Sequence, residues 1–145
     1  MNTLVIDASI AVKWVVEEDG TPEALALRQK KGKLIAPELL VAECANILWK
    51  KFQRGELLKA EALLAARLLQ GAEIELLPTR SLFEAATRMS IEINHPAYDC
   101  LHLALAVEKE CQLVSADERF LRKLHQGRQR TLRGRAISLI EALKL

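Results

Sequence analysis

Hydrophobic residues along the chain follow two alternating patterns. Short apolar runs predict buried strands, and longer segments with apolar residues every three or four positions predict helices. The predicted strands are residues 3–6, 33–36, 73–77 and 112–115. The predicted helices are residues 9–16, 21–32, 37–52, 56–70, 79–93, 97–110 and 117–124, and residues 136–145 hold a last strand or helix.

The order of these elements predicts the fold class. Strands that alternate with helices are typical of an α/β sheet whose strands are mainly parallel. The short apolar strands agree, because parallel strands are usually covered on both faces. The chain of 145 residues is half hydrophobic and shows no repeat or linker. We therefore expect one domain over residues 1–145.

The positive charge is concentrated near the C-terminus. The net charge is only +2, but residues 119–135 contain seven basic residues and no acid. Such a tract suits a polyanion, although a solvated connection would have the same composition. The candidate RNA-binding residues are Arg119, Arg122, Arg128, Arg130 and Arg133.

The cysteines and histidines point away from a zinc site. Cys44, Cys100 and Cys111 form no C-x-x-C pair, and the three histidines complete no zinc pattern. We expect reduced cysteines in a cytoplasmic protein. No apolar run approaches the ~18 residues of a membrane span, and no signal-peptide pattern begins the chain.

Two acids follow predicted strands. Asp7 comes directly after the strand at residues 3–6, and Asp117 follows the strand at residues 112–115. Ligands of open α/β sheets bind at this carboxyl edge. Either acid could instead cap the helix that follows it, because a carboxylate satisfies the free N–H groups there.

Glu43 and Asp99 lie inside strongly apolar helical segments. A helix that is apolar almost all round is buried, and a lone buried carboxylate needs a basic side chain, a proton or a metal. Asn46 and His102 each follow one of these acids by three residues and share its helix face. Two such polar faces and two acids at strand ends favour one shared cleft.

A hard divalent cation would relieve the repulsion among four carboxylates. Oxygen ligands suit Mg²⁺ or Mn²⁺, and such an ion can promote phosphodiester hydrolysis. The predicted catalytic and metal-binding residues are therefore Asp7, Glu43, Asp99 and Asp117. Ser9 and Ser115 offer hydroxyls near two of them, for the site or for local capping.

Four segments of this chain resemble those of PIN domains. They are residues 5–9, 37–46, 98–104 and 113–120, and their order and spacing resemble VapC-type toxins of prokaryotic toxin–antitoxin pairs over essentially the whole chain. The resemblance implies a three-layer α/β/α sandwich and a Mg²⁺- or Mn²⁺-dependent ribonuclease. Asp7, Glu43 and Asp99 would be the core acids and Asp117 the more variable fourth. Ser115 stands where the family commonly has Thr.

The resemblance also implies protein partners. It suggests a homodimer and a cognate antitoxin that wraps the toxin with an amphipathic segment and blocks the cleft. Apolar helix surfaces at residues 57–69 could serve a dimer or belong to the core.

Three other functions fit parts of the pattern. A PIN nuclease that processes RNA or cleaves DNA would use the same site. A phosphatase with an aspartyl-phosphate intermediate would normally have a second Asp at position 9, where this chain has Ser9. A non-catalytic binding module could keep the fold without binding metal.

Overall fold

Five parallel strands form one sheet in the computed structural model, which describes residues 2–30 and 32–145. The strands are β1 (Asn2–Ile6), β2 (Gly32–Pro37), β3 (Glu75–Leu77), β4 (Gln112–Val114) and β5 (Ala136–Ile137). Their order in the sheet is β3-β2-β1-β4-β5, and each neighbouring pair is parallel. The predicted parallel α/β sheet is confirmed.

Eight α-helices accompany the sheet within the described ranges. They are α1 (Ala8–Ala11), α2 (Thr21–Gln29), α3 (Leu39–Gln53), α4 (Lys59–Gln70), α5 (Phe83–Ile93), α6 (Ala97–Glu108), α7 (Glu118–Gln126) and α8 (Leu139–Leu143). Short 3₁₀ helices follow α1 and precede α5. The segment after residue 136 thus holds both a strand and a helix.

Alternate side chains of the strands pack into two cores. Leu4 and Ile6 of β1 pack with α1–α4 and α8 on one face. Val5 of β1 and Leu113 of β4 pack with α5–α7 on the other. Because successive strand side chains point to opposite faces, β1, β2, β4 and β5 contribute to both cores, whereas β3 contributes only Leu77 to the second. The three-layer α/β/α sandwich is therefore confirmed.

The strand order decides where a ligand can bind. The chain runs from β1 outward through β2 and β3, and then returns to the other side of β1 as β4. The connection after β1 therefore leads to one side of the sheet, toward β2, and the connection after β4 leads to the other side, toward β5. The direction of the chain across the sheet reverses between β1 and β4. A crevice forms at such a switch point outside the carboxyl ends of the strands. Asp7 directly follows β1, and Asp117 lies just beyond β4.

Some local details differ from the sequence predictions. The helix predicted from residue 21 begins there, and its N-cap is Gly20, with a φ of 89°. The buried Thr21 hydroxyl donates to the Val16 carbonyl and accepts from the Glu18 amide, which closes the preceding loop. Pro37 ends β2 instead of opening α3.

Helix α3 is less buried than its composition predicted. Val41 and Trp49 are more than half exposed, whereas Leu40, Cys44 and Leu48 are buried. The helix therefore has an apolar face that the described residues leave uncovered. Helix α6 matches the expectation better, because residues 102–106 are all buried.

Candidate metal centre

One cleft at the switch point collects the four predicted acids. It has a volume of about 450 Å³ and lies between α3, α6 and the carboxyl ends of β1 and β4. We call it the acidic cleft; its polar lining includes Asp7, Ser9, Glu43, Asn46, Asp99 and Asp117. Four segments far apart in sequence thus contribute to one site.

Asp7 both caps a helix and faces the cleft. Its Oδ1 accepts a hydrogen bond from the Ile10 amide at 3.3 Å and another from the Ser9 hydroxyl. Burial raises the pKa of the Asp7 carboxyl above its usual range, and the nearby Asp99 adds to the rise. His102 and the neighbouring hydroxyls oppose the shift without cancelling it. This carboxylate would gain from an added cation.

Glu43 is hydrogen-bonded to His102 across the edge of the sheet. The distance from Glu43 Oε1 to His102 Nε2 is 2.5 Å, and His102 is fully buried. Burial lowers the pKa of His102, but the bond and charge of Glu43, with help from Asp7 and Asp99, outweigh this and raise it overall. The sequence placed His102 beside Asp99 on α6; the structure shows that its direct partner is on α3.

Asp99 is paired with a histidine that the sequence analysis left out of the site. His95 Nε2 lies 2.6 Å from Asp99 Oδ2, and its ring stacks on Phe120 with centroids 4.5 Å apart. Lys123 Nζ lies 3.3 Å from His95 Nδ1 and donates to the Asn94 carbonyl. The only sequence signal was the four-residue spacing from His95 to Asp99.

The tightest group of possible ligands is His95, Asp99 and Asp117. Among the described residues, ligand atoms of these three lie within 4.8 Å of one another. Asp7 and Glu43 line the same cleft, but each carboxylate is bonded to its own partner. Mutual repulsion favours this separation of the acids.

The predicted serines connect the ends of β1 and β4. Ser9 Oγ accepts from the Ala116 amide at 3.1 Å and also donates to Asp7. Ser115 is fully buried behind the cleft, and its hydroxyl accepts from the Asp117 amide at 3.1 Å. Asp117 in turn caps α7 by accepting from the Phe120 amide. Local capping and site geometry therefore use the same side chains.

The arginines of the basic tract are mostly exposed. They are Arg119, Arg122, Arg128, Arg130 and Arg133. Arg133 also has a structural contact, because its Nε donates to the Gly127 carbonyl at 2.9 Å and holds the loop between α7 and β5. In the same stretch, Arg135 donates to the Cys111 carbonyl.

The cysteines are free thiols. Burial, reinforced by Glu43 and Asp7, raises the pKa of Cys44 to about 12; burial and Asp99 raise that of Cys100 to about 11. Both are neutral thiols at physiological pH, so neither is a ready ligand for zinc. Over the described residues, every helix is too short or too polar to cross a membrane.

The donor set fits a hard divalent cation. The acidic cleft offers four carboxylates, with the His95 imidazole beside two of them, and this oxygen-rich set suits Mg²⁺ or Mn²⁺. The raised pKa of the buried Asp7 gives the second argument, because a cation there would stabilise its charged form.

Comparison with known proteins identifies the family. The profile of the PIN domain matches residues 4–124, a stretch that contains all four acids of the cleft. The chain belongs to the PIN-domain family. This PIN domain is 30% identical over 116 residues to the VapC ribonuclease Mb0985 of Mycobacterium bovis and to Ribonuclease VapC9 of Mycobacterium tuberculosis. The match covers 80% of this chain and 87% of each relative.

Solved structures show the same fold. PAE2754 from Pyrobaculum aerophilum has a TM-score of 0.69 at 21% identity, covering 99% of this chain and 88% of that one. VapC20 of Mycobacterium tuberculosis, described as a toxin that cleaves the sarcin–ricin loop, has a TM-score of 0.60 at 15% identity. That match covers 75% of this PIN domain and 85% of VapC20. The predicted resemblance to VapC-type PIN domains is thus confirmed.

The raised pKa values of Asp7 and His102 predict a pH dependence of stability. A pKa that is higher in the folded protein gives a stabilisation that is present at low pH and lost as the pH rises through the folded value. For Asp7 the loss begins near its ordinary 3.8, and for His102 near its ordinary 6.5. In EDTA, the free energy of unfolding should therefore fall above pH 6.5 more steeply in wild type than in His102→Gln.

Urea unfolding between about pH 6 and 9 measures this slope. His125→Gln is the matched control, since His125 is an exposed histidine on α7 and its variant should keep the wild-type slope. Equal slopes in wild type and His102→Gln would contradict the expectation.

Proposed function

We propose that this PIN domain is an endoribonuclease that depends on Mg²⁺ or Mn²⁺ and acts as the toxin of a toxin–antitoxin pair. The observation that carries the proposal is the convergence of four acids in one cleft at the switch point of the sheet. The similarity to two VapC ribonucleases supports RNA as the substrate.

The chain's own residues would hold the cation and position the phosphodiester. Asp7, Glu43 and Asp99 are the proposed core ligands, and Asp117 the fourth. A bound divalent cation supplies Lewis acidity toward the phosphodiester and toward the attacking water. In hydrolysis the water oxygen bonds to phosphorus as one P–O bond breaks, and the leaving oxygen becomes an alcohol by taking up the proton that the water loses.

Two histidines restrain the carboxylates. His95 is hydrogen-bonded to one oxygen of Asp99 and His102 to one oxygen of Glu43, so both acids have less freedom of rotation in the cleft. Such outer partners maintain the geometry of metal ligands. The amide of Asn46 lies on the cleft wall near Glu43 and is a proposed auxiliary contact.

The exposed arginines near the C-terminus are proposed RNA contacts. Helix α7 begins directly after Asp117, and Arg119 and Arg122 are exposed within its first two turns. Arg128, Arg130 and Arg133 continue the positive surface in the following loop. Cations at these positions would attract the phosphate backbone without reading its sequence.

An apolar groove supports the proposal of protein partners. Two adjoining pockets between α3 and α4 share Ala45, Leu48 and Ala66. Nearby, Leu58, Leu63, Leu64 and Leu68 are at least half exposed, so the surface at residues 57–69 is not simply core. Exposed apolar surface of this extent is typical of an interaction site. An amphipathic antitoxin segment and a second copy of the chain are the proposed partners.

A cleavage assay tests the proposed function. The purified protein is incubated with total cellular RNA or a labelled DNA, with Mn²⁺ or with EDTA, and the new RNA ends are sequenced. We expect defined RNA cleavage with Mn²⁺, none with EDTA and intact DNA. Cleavage of DNA alone would favour the DNA-cleaving alternative. No cleavage of either polymer would favour a non-catalytic module.

A further inference from the structure

The cleft face of α3 changes its charge along the helix. Glu43, Asn46, Lys50 and Arg54 recur every three or four residues, so they lie on one face. Glu43 and Asn46 line the acidic cleft, and Lys50 lies at its edge. The helix rise separates Glu43 from Lys50 by about 10 Å along the axis. An acidic surface therefore becomes cationic over about two turns.

A second pocket adjoins the acidic cleft at this cationic end. It has a volume of about 210 Å³ and shares Ser9, Ile47 and Lys50 with the cleft. We call it the Lys50 pocket; its charged lining is Lys13, Glu18, Lys50, Lys51 and Arg54. The three shared residues place the two pockets side by side along α3, within reach of one extended strand.

The single acid of the Lys50 pocket is bonded to two of its lysines. Glu18 contacts Lys51 Nζ at 2.7 Å and Lys13 Nζ at 3.5 Å. Lys13 also donates to the Asp19 carbonyl at 2.6 Å. Both lysine side chains are 13% exposed. Four cations and one carboxylate line the pocket, and Glu56 outside it also contacts Lys51 at 3.5 Å, so the pocket keeps an excess of positive charge.

The other two cations are available to a ligand. The Lys50 side chain is exposed and makes no hydrogen bond or ion pair with the part of the chain that the structure describes. Arg54 is 67% exposed, and its contact with Glu56 is long at 4.0 Å. An exposed ion pair such as that of Arg54 with Glu56 contributes little to the stability of the fold. Stability therefore does not explain why positions 50 and 54 carry cations.

We propose that the Lys50 pocket binds a phosphate group of the RNA strand adjacent to the phosphodiester in the acidic cleft. The proposal rests on the proposed function. A polyanion is repelled by the acidic cleft itself, so part of its affinity must come from cations beside the cleft. The Lys50 pocket supplies such cations directly beside the cleft. The strand would leave the cleft along α3, on the side away from α6.

The test compares two charge-neutralised proteins with equal loss of charge. Lys50→Gln with Arg54→Gln removes the available cations of the pocket. Arg80→Gln with Lys109→Gln removes one exposed arginine and one exposed lysine that lie outside the acidic cleft, the Lys50 pocket and the surface at residues 57–69. Each pair is combined with Asp99→Asn for binding of a labelled oligoribonucleotide, and is also assayed for cleavage and for Mn²⁺ affinity without RNA.

We expect the pocket variant to bind RNA about tenfold more weakly, and the slope of log K against log salt to shrink by about 1.4, since two phosphate contacts on a single strand contribute about 0.7 each. KM should rise more than kcat falls, and Mn²⁺ affinity should match wild type. The control pair should retain RNA affinity.

Three results would overturn the proposal. RNA affinity and salt slope equal to wild type in the pocket variant would show that no phosphate binds there. An equal loss in the control pair would show a general effect of net charge. Both results leave the proposed function standing when wild type still cleaves RNA. Failure of wild type to cleave RNA with Mn²⁺ would overturn the proposed function, and the role of the pocket with it.

Discussion

Asp7→Asn is expected to abolish RNA cleavage while leaving the protein folded. Loss of one carboxylate ligand should remove several kcal/mol of transition-state stabilisation, which is on the order of a 10³-fold fall in rate or more. The fold should survive because asparagine is also a good N-cap and can still accept from the Ile10 amide.

The same substitution should stabilise the protein in EDTA. Burial raises the pKa of Asp7, so the charged carboxylate is unfavourable there at neutral pH, and a neutral amide avoids this. Single-turnover cleavage and urea unfolding measure the two effects. Glu108→Gln, an exposed acid at the end of α6, is the control and should leave both unchanged. An active Asp7→Asn protein would contradict its assignment as a ligand.

His102→Ala is expected to destabilise the protein by roughly 2–4 kcal/mol. The substitution leaves a cavity at a fully buried position and removes the partner of Glu43. The loss of stability is moderated because the Glu43 side chain is 20% exposed, so water can reach its carboxylate. His102→Gln, which retains a donor, should lose less stability.

A double-mutant cycle separates the free energy of the Glu43–His102 interaction from the cost of the cavity. Glu43→Ala in the His102→Ala background should destabilise less than Glu43→Ala in wild type, because the shared hydrogen bond is already absent. Urea unfolding in EDTA gives the four free energies. Additive effects would show that Glu43 and His102 are not coupled, which contradicts the 2.5 Å contact.

The convergence of the acids could be predicted because each carried a local signal. Asp7 follows a strand that lies at the centre of the sheet, and Glu43 and Asp99 stand out against apolar neighbours. Parallel strands bring their carboxyl ends to one edge of the sheet, so the topology of the sheet predicts that the acids meet there. Helix capping was the competing interpretation of Asp7 and Asp117. In the structure each of them caps a helix and also lines the cleft.

The partners of the acids depend on packing between distant segments. His95 meets Lys123 and Phe120 only because the loop after α5 packs against α7. Helical spacing placed His102 on a polar face but gave no information on α3, 59 residues away. The apolar composition of α3 likewise gave a wrong prediction of its burial, since an apolar sequence does not show which side of a helix another element covers. Trp49 is about half exposed for this reason.

The central claim is that the four acids form one divalent-metal site. Calorimetric titration of Mn²⁺ into wild type and into Asp7→Asn with Asp99→Asn tests it most directly. We expect saturable binding by wild type and none by the double variant, with both proteins folded by circular dichroism. Equal Mn²⁺ binding by the two proteins would contradict the claim.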